Sequence, residues 1–204
     1  MDKPGLYRTL AQPTDPILLK EKKSKFYGYA YPINSENEVR PILESLRKKY
    51  PSANHVCYAW QLGIATISYR ANDDGEPKNS AGMPIYGQIK SFKLTNVLVA
   101  VVRIFGGTKL GVGGLISAYR NTAQMALTES KVIDKTIKVQ LLIKFDYADY
   151  DKVMRIIKQY KLKIVSQQLE LDCSMLLSTS KSQLSEIKGK FRALKNVVFL
   201  EKDD

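Results

Sequence analysis

The stretch Ile137-Lys138-Val139-Gln140-Leu141-Leu142-Ile143-Lys144-Phe145 decides the fold of the second half of the chain. Ile137, Val139, Leu141, Ile143 and Phe145 recur at every second position with Lys138, Gln140 and Lys144 between them, which predicts a strand with one buried face. Beyond it, Val153, Ile156, Ile157 and Tyr160 follow the spacing of an amphipathic helix. Ile164-Val165 lead a second β segment, and Leu169, Leu171, Cys173, Met175 and Leu177 alternate with polar residues as a third. No turn signal separates those two segments. Leu184, Ile187, Phe191 and Leu194 predict a second helix, and Val197–Leu200 a closing strand. The order β-α-β-β-α-β is that of a ferredoxin-like plait. RNA-recognition motifs share it and stack bases on aromatic strand residues, but Leu171–Ser178 has none, so base stacking is excluded here. The helices carry cations instead. At 100° per residue Lys181, Lys188, Arg192 and Lys195 fall in one arc opposite the apolar stripe, and Lys152, Arg155, Lys158 and Lys161 decorate the other helix.

The first part reads as a separate α+β domain. Ile17-Leu18-Leu19 and Phe26–Tyr31 are strands joined by the basic run Lys20–Lys25. Ser35 with Glu38 forms a capping box ahead of a helix lined by Val39, Ile42, Leu43, Leu46 and Tyr50, which Pro41 should kink or shift. His55–Leu62 and Thr66–Arg70 read as a hairpin, Met83–Ile89 as a short helix and Leu94–Ile104 as a buried strand. A helix follows from about Gly114 to Thr128. Lys131–Thr136 reads as the linker, giving domains 1–132 and 133–204.

The chain has 204 residues, of which 44% are hydrophobic and 25% charged, as expected of a folded soluble protein in one or two domains. The longest apolar run, Val97–Val102, is far too short to span a membrane, and Met1–Gly5 begins no secretory signal. Two distant cysteines and one histidine make a disulfide framework or a Cys/His zinc site unexpected. These features predict a cytosolic protein without cofactor or metal. The net charge is +12, with 17 basic and 10 acidic residues in 1–130 and 15 and 10 in 131–204. An excess spread over both parts favours a polyanionic partner such as RNA.

Three segments could carry chemistry. Phe105-Gly106-Gly107-Thr108-Lys109-Leu110-Gly111-Val112-Gly113-Gly114-Leu115 sits between a buried strand and a helix, where backbone N–H groups and Lys109 could hold a phosphate. It matches neither a P-loop nor a dinucleotide fingerprint, because Thr108 precedes Lys109 and Ile116 stands where a third glycine is needed. Asn72-Asp73-Asp74-Gly75-Glu76-Pro77 offers three carboxylates for Mg²⁺ or acid–base work, although turn chemistry alone accounts for its residue types. His55-Val56-Cys57-Tyr58-Ala59-Trp60 sets His55 and Cys57 on one strand face, as a Cys–His pair or, more simply, as structural residues. Tyr27, Tyr29 and Tyr31 share a face and read as a packing or interface stripe.

His55-x-Cys57-x-Ala59-Trp60, Asp74-Gly75-Glu76-Pro77 with Ala81-Gly82-x-Pro84, and Val102-Arg103-x-Phe105-Gly106-Gly107-x-Lys109-Leu110-Gly111-x-Gly113-Gly114-Leu115 together resemble the IMPACT family in its bacterial YigZ branch. The motifs cover about 15–130, and the tail resembles the family's C-terminal domain in size and element order. The resemblance implies an N-terminal domain like ribosomal-protein S5 domain 2, with a left-handed βαβ crossover. It implies a ferredoxin-like C-terminal domain like the fifth domain of elongation factor G. Eukaryotic members regulate translation by competing for the activator of the amino-acid-starvation kinase through an added N-terminal RWD domain. This chain is expected to lack that domain and that role. Two positions depart from the family pattern: Ile104 stands for a tyrosine and Ser117 for an arginine near the glycine loop.

The reading preferred from these features is a translation-associated binding protein, not an enzyme, with structured RNA or the ribosome as partner. Arg103, Lys109 and Arg120, with Gly106, Gly107, Gly111, Gly113 and Gly114, would hold phosphate at the glycine loop. Lys181, Lys188, Arg192 and Lys195 would add backbone contacts. One rival is an enzyme that binds a nucleotide or phosphate ligand at the glycine loop, with His55, Asp74 and Glu76 as acid–base or Mg²⁺ groups. Another is a protein–protein adaptor working through the tyrosine stripe.

Overall fold

The structure is a computed structural model and describes residues 5–200. These divide into two compact units, residues 7–135 and residues 136–200 together with 5 and 6. The first unit runs β1 (Leu6–Leu10), β2 (Ile17–Glu21), β3 (Ser24–Pro32), α1 (Val39–Lys49), β4 (His55–Leu62) and β5 (Ser68–Asn72). It continues through α2 (Gly82–Ser91), β6 (Val97–Ile104), α3 (Gly111–Thr128) and β7 (Val132–Thr136).

The five central strands form one sheet in the order β2-β3-β6-β4-β5, with every neighbouring pair antiparallel. β3 and β4 both run antiparallel to β6, so they are parallel to each other and joined through α1. Helices cover both faces, which is why the Val-rich β6 is buried along nearly its whole length. Val97, Val99 and Val101 face α2 and α3, while Ala100 and Val102 face α1. Tyr27, Tyr29 and Tyr31 lie under α1, and the Tyr29 and Tyr50 hydroxyls meet at 2.5 Å. The stripe therefore packs under α1, with Tyr29 buried and Tyr27 and Tyr31 half-buried.

Three local expectations are corrected. Pro41 is the third residue of α1, inside the first turn where its missing N–H breaks no helical bond, so the helix is not kinked there. The segment read as a linker is mostly strand β7, paired with β1 in a two-stranded sheet. That pairing joins distant parts of the chain and has no local signal. α3 begins at Gly111, three residues before the expected start, and Gly111 enters it at a φ of 72° that glycine adopts without strain.

The second unit comprises β8 (Lys138–Asp146), α4 (Tyr150–Gln159), β9 (Lys163–Gln168), β10 (Asp172–Ser180), α5 (Leu184–Arg192) and β11 (Val198–Leu200). Its sheet order, β11-β8-β10-β9, with all pairs antiparallel, is the ferredoxin-like arrangement. Leu141, Ile143, Phe145, Met175 and Leu177 pack with Val153, Ile157, Ile187 and Phe191 in one core. Each such side chain contributes roughly 1.5–3 kcal/mol by leaving water. The opposite strand positions, Gln140, Leu142, Lys144, Ser174, Leu176 and Ser178, include no aromatic ring. Leu169 and Leu171 continue the strand's alternation in sequence but form the β9–β10 turn, with Leu171 92% exposed.

Candidate functional site

β4 begins and β6 ends at the same edge of the first unit's sheet, where His55 is the cross-strand neighbour of Arg103. Both side chains lie on the α2/α3 side. The glycine-rich loop leaves β6 there and enters α3, and the 73–81 loop returns to the same edge from β5. Between them is a cavity of about 430 Å³ whose lining includes His55, Glu76, Arg103, Phe105, Lys109 and Val112.

Glu76 is the buried centre of this edge. Its Oε1 accepts from Arg103 Nη1 at 2.6 Å and from the Tyr119 hydroxyl at 2.8 Å. The Arg103 guanidinium lies 5.5 Å from the ring centroids of both Phe26 and Phe105, held between two aromatic faces. His55 Nδ1 is 2.8 Å from the Asp74 carbonyl oxygen. A carbonyl can only accept, so Nδ1 carries the proton and Nε2 is left toward Glu76 Oε1, 3.9 Å away. Burial pushes the Tyr119 phenol far above its ordinary range, reinforced by Cys57 and Glu76 beside it. Burial likewise pushes the Cys57 thiol upward, and that thiol donates to the Asp73 carbonyl at 3.0 Å. A neutral, buried thiol is no nucleophile, which removes the Cys–His pairing.

The three carboxylates of the acidic segment diverge. Asp73 accepts the N–H groups of Ala81 and Gly82 through Oδ1 at 3.0 and 2.8 Å, and that of Asn79 through Oδ2 at 2.8 Å. It thereby closes the start of α2 from outside the helix, a cap the sequence spacing did not reveal. Asp74 meets Arg47 Nη2 at 2.7 and 2.8 Å and accepts the Val56 N–H at 2.6 Å. Of the candidates His55, Asp74 and Glu76, only His55 and Glu76 reach the cavity. Among the described residues no group of three His, Cys, Asp or Glu side chains converges as a metal site would require.

The glycine loop is pinned from two sides. Phe105 N–H donates to Asn54 Oδ1 at 2.8 Å, and Gly106 N–H to Ser24 Oγ at 3.2 Å. A Cβ on Gly106 would lie 2.0 Å from the Lys23 carbonyl carbon, so only glycine lets the loop close against the β2–β3 turn. That turn is Lys22-Lys23, a two-residue hairpin loop with φ of 42° and 67°. Such turns favour Asn and Gly, and here both left-handed positions carry lysine. Lys20, Lys22, Lys23 and Lys25 thus gather, exposed, beside the loop that carries exposed Lys109. The sequence showed the basic run and the glycines separately; only the fold apposes them.

Arg103 is buried in its ion pair, Arg120 is exposed on α3, and Gly107 and Gly113 have open space around their Cα atoms. Gly114 sits against Leu110. In the second unit Lys188 and Arg192 are on α5, each 5.8 Å from the Phe199 ring, so they lean over the β11 edge and do not point directly away from the core. Lys181 and Lys195 lie in the turns before and after α5, because the helix spans only Leu184–Arg192. The single helical arc of four cations is corrected accordingly. Ile104 is half-buried at the end of β6 and Ser117 exposed on α3. Among the described residues no helix is long and apolar enough to cross a membrane.

Comparison with known proteins places this geometry. Residues 22–127 match the Impact N-terminal domain. An IMPACT family member of Haemophilus influenzae is 32% identical over 179 residues, 84% of this chain and 85% of that protein. The IMPACT family member YigZ of Escherichia coli is 27% identical over 87% of this chain and 89% of its own length. A solved crystal structure of a hypothetical protein superposes over 99% of this chain and all of its own at a TM-score of 0.74, with 22% identity, and so shares the fold. With its motifs at the sheet edge and the matched domain covering half its length, the chain belongs to the IMPACT family.

Proposed function

We propose that this chain is a cytoplasmic, translation-associated regulatory protein that binds structured RNA or the ribosome. Phosphate is contacted where the β2–β3 turn meets the glycine loop. Lys22, Lys23 and Lys25 act there with Lys109, and Arg120 extends the contact along α3. Lys181, Lys188, Arg192 and Lys195 supply further contacts from the second unit. Arg103 serves the loop indirectly, by holding Phe105 and Glu76.

The observation that carries this reading is the Lys22-Lys23 turn. A non-glycine residue in the left-handed region costs about 1–2 kcal/mol. Two lysines in succession at such positions, at the tip of a turn pressed on the glycine loop, place cations where packing alone favours Asn-Gly. Membership of the IMPACT family and the excess of 32 basic over 20 acidic residues support the same reading. Filter binding of the full chain to ribosomal RNA at 50 and 200 mM salt tests it. Each phosphate contact adds roughly 0.7–0.9 to the slope of log affinity against log salt. Steeply salt-dependent binding is expected; equal affinity at both salt levels, or none at micromolar protein, rejects the reading.

A further inference from the structure

The cavity behind the glycine loop is a separate feature from the lysine-rich turn outside it. Its walls combine Phe105, Leu110, Val112 and Leu115 with a few polar groups. Arg103 is 6% exposed, and its Nε is buried without any acceptor. Its Nη1 is committed to Glu76, so its charge is balanced while one buried guanidinium donor stays unmet beside the cavity. Leu110 precedes α3 without a side-chain cap, and Gly111 and Val112 of its first turn line the cavity. The first-turn amides and the positive end of an eighteen-residue helix are therefore presented beside exposed Lys109.

We infer that this cavity binds a small phosphate monoester with an apolar organic part, its phosphate at Lys109 and the start of α3, its organic part against Phe105 and Leu115. A planar carboxylate is best met by a guanidinium fork, and the fork here is held by Glu76. A tetrahedral head suits separate, diverging donors such as helix amides and one ammonium. The volume, about 430 Å³, lies in the range of small-molecule pockets. The inference shares Lys109 with the proposed RNA contact but not the lysines of the β2–β3 turn, so changes at Lys22 and Lys23 separate the two.

Amide and imidazole NMR titration of the full chain with inorganic phosphate and with phenyl phosphate is the test. Phenyl phosphate is expected to shift the Gly111 and Gly113 amides and the His55 ring, binding about tenfold more tightly than inorganic phosphate because its ring leaves water. Lys109→Ala, a change at an exposed residue, is expected to keep the amide spectrum of the fold and to weaken phenyl phosphate about fivefold or more. Val112→Trp is expected to block it while leaving the rest of the amide spectrum in place. Lys22→Ala/Lys23→Ala is expected to leave it unchanged even where RNA binding falls. A 5′-phosphorylated RNA oligonucleotide shifting the same amides where its 5′-hydroxyl form does not would make a chain end the source of the monoester. Shifts by phenyl phosphate alone would make the source a free small molecule. Equal affinity for the two phosphates, or no shift at Gly111, Gly113 and His55 with any of these probes, overturns the inference.

Discussion

Two loops meet at one edge of the five-stranded sheet, and they use polar groups in opposite ways. The 73–81 loop spends its carboxylates on the protein: Asp73 on three backbone N–H groups, Asp74 on Arg47 and Val56, Glu76 on Arg103 and Tyr119. The 105–111 loop is pinned at Phe105 and Gly106 and then leaves Gly107, Lys109 and the start of α3 facing outward. The loop with the more conspicuous titratable residues is the scaffold. The loop with almost none is the one left exposed, and it is where the proposed contact lies. Chemistry is found by asking which polar groups remain unspent after folding, and residue type alone does not answer that.

The largest expected effect tests the scaffold. Glu76→Ala leaves Arg103 charged and buried, and is expected to cost about 3–5 kcal/mol by urea unfolding. Glu76→Leu with Arg103→Met is expected to cost less than either single change, since no orphaned charge remains. Equal losses for single and double variants would show that the pair is not the unit of stability here.

Asp73→Ala comes next. Three N–H groups lose their acceptor, and a loss of about 1–3 kcal/mol is expected, with α2 fraying first in hydrogen exchange. Asp74→Ala should shift the His55 ring resonances, because the loop carbonyl that meets Nδ1 loses its anchors to Arg47 and Val56.

Alkaline pH gives a smaller, graded effect. The folded state raises the Cys57 thiol from an ordinary 9.0 and the Tyr119 phenol from 10.0. Raised values favour the folded state fully below the unfolded value, and that advantage is lost as pH rises toward the folded one. Stability is therefore expected to hold from pH 7 to about 8.5 and to decline above it. Tyr119→Phe should flatten the part of the decline above pH 10.

Much of the fold was legible because both units follow local periodicity. The alternation of 137–145 and the helical spacing of 153–160 gave the plait, and its sheet order agrees. Local pattern failed where pairing is long-range, as at β7, and where alternation runs on through a turn, as at Leu169 and Leu171. The glycine loop was visible as a strand-to-helix connection, but its neighbours were not. No spacing rule links Lys22 and Lys23 to Gly106, because their approach depends on β3 and β6 lying side by side in the sheet. Arg103 read as a phosphate contact, since nothing local announces that Glu76 will bury it in an ion pair.

The smallest structural change carries the central claim. Lys22→Asn with Lys23→Gly gives the hairpin the turn residues its backbone prefers, and is expected to raise stability by about 0.5–1 kcal/mol. Combined with Lys109→Ala, it should nonetheless lower affinity for ribosomal RNA and reduce the slope of log affinity against log salt by about 2–3. A variant that is more stable and binds RNA with an unchanged slope would contradict the account, because the lysines would then be strained for no contact.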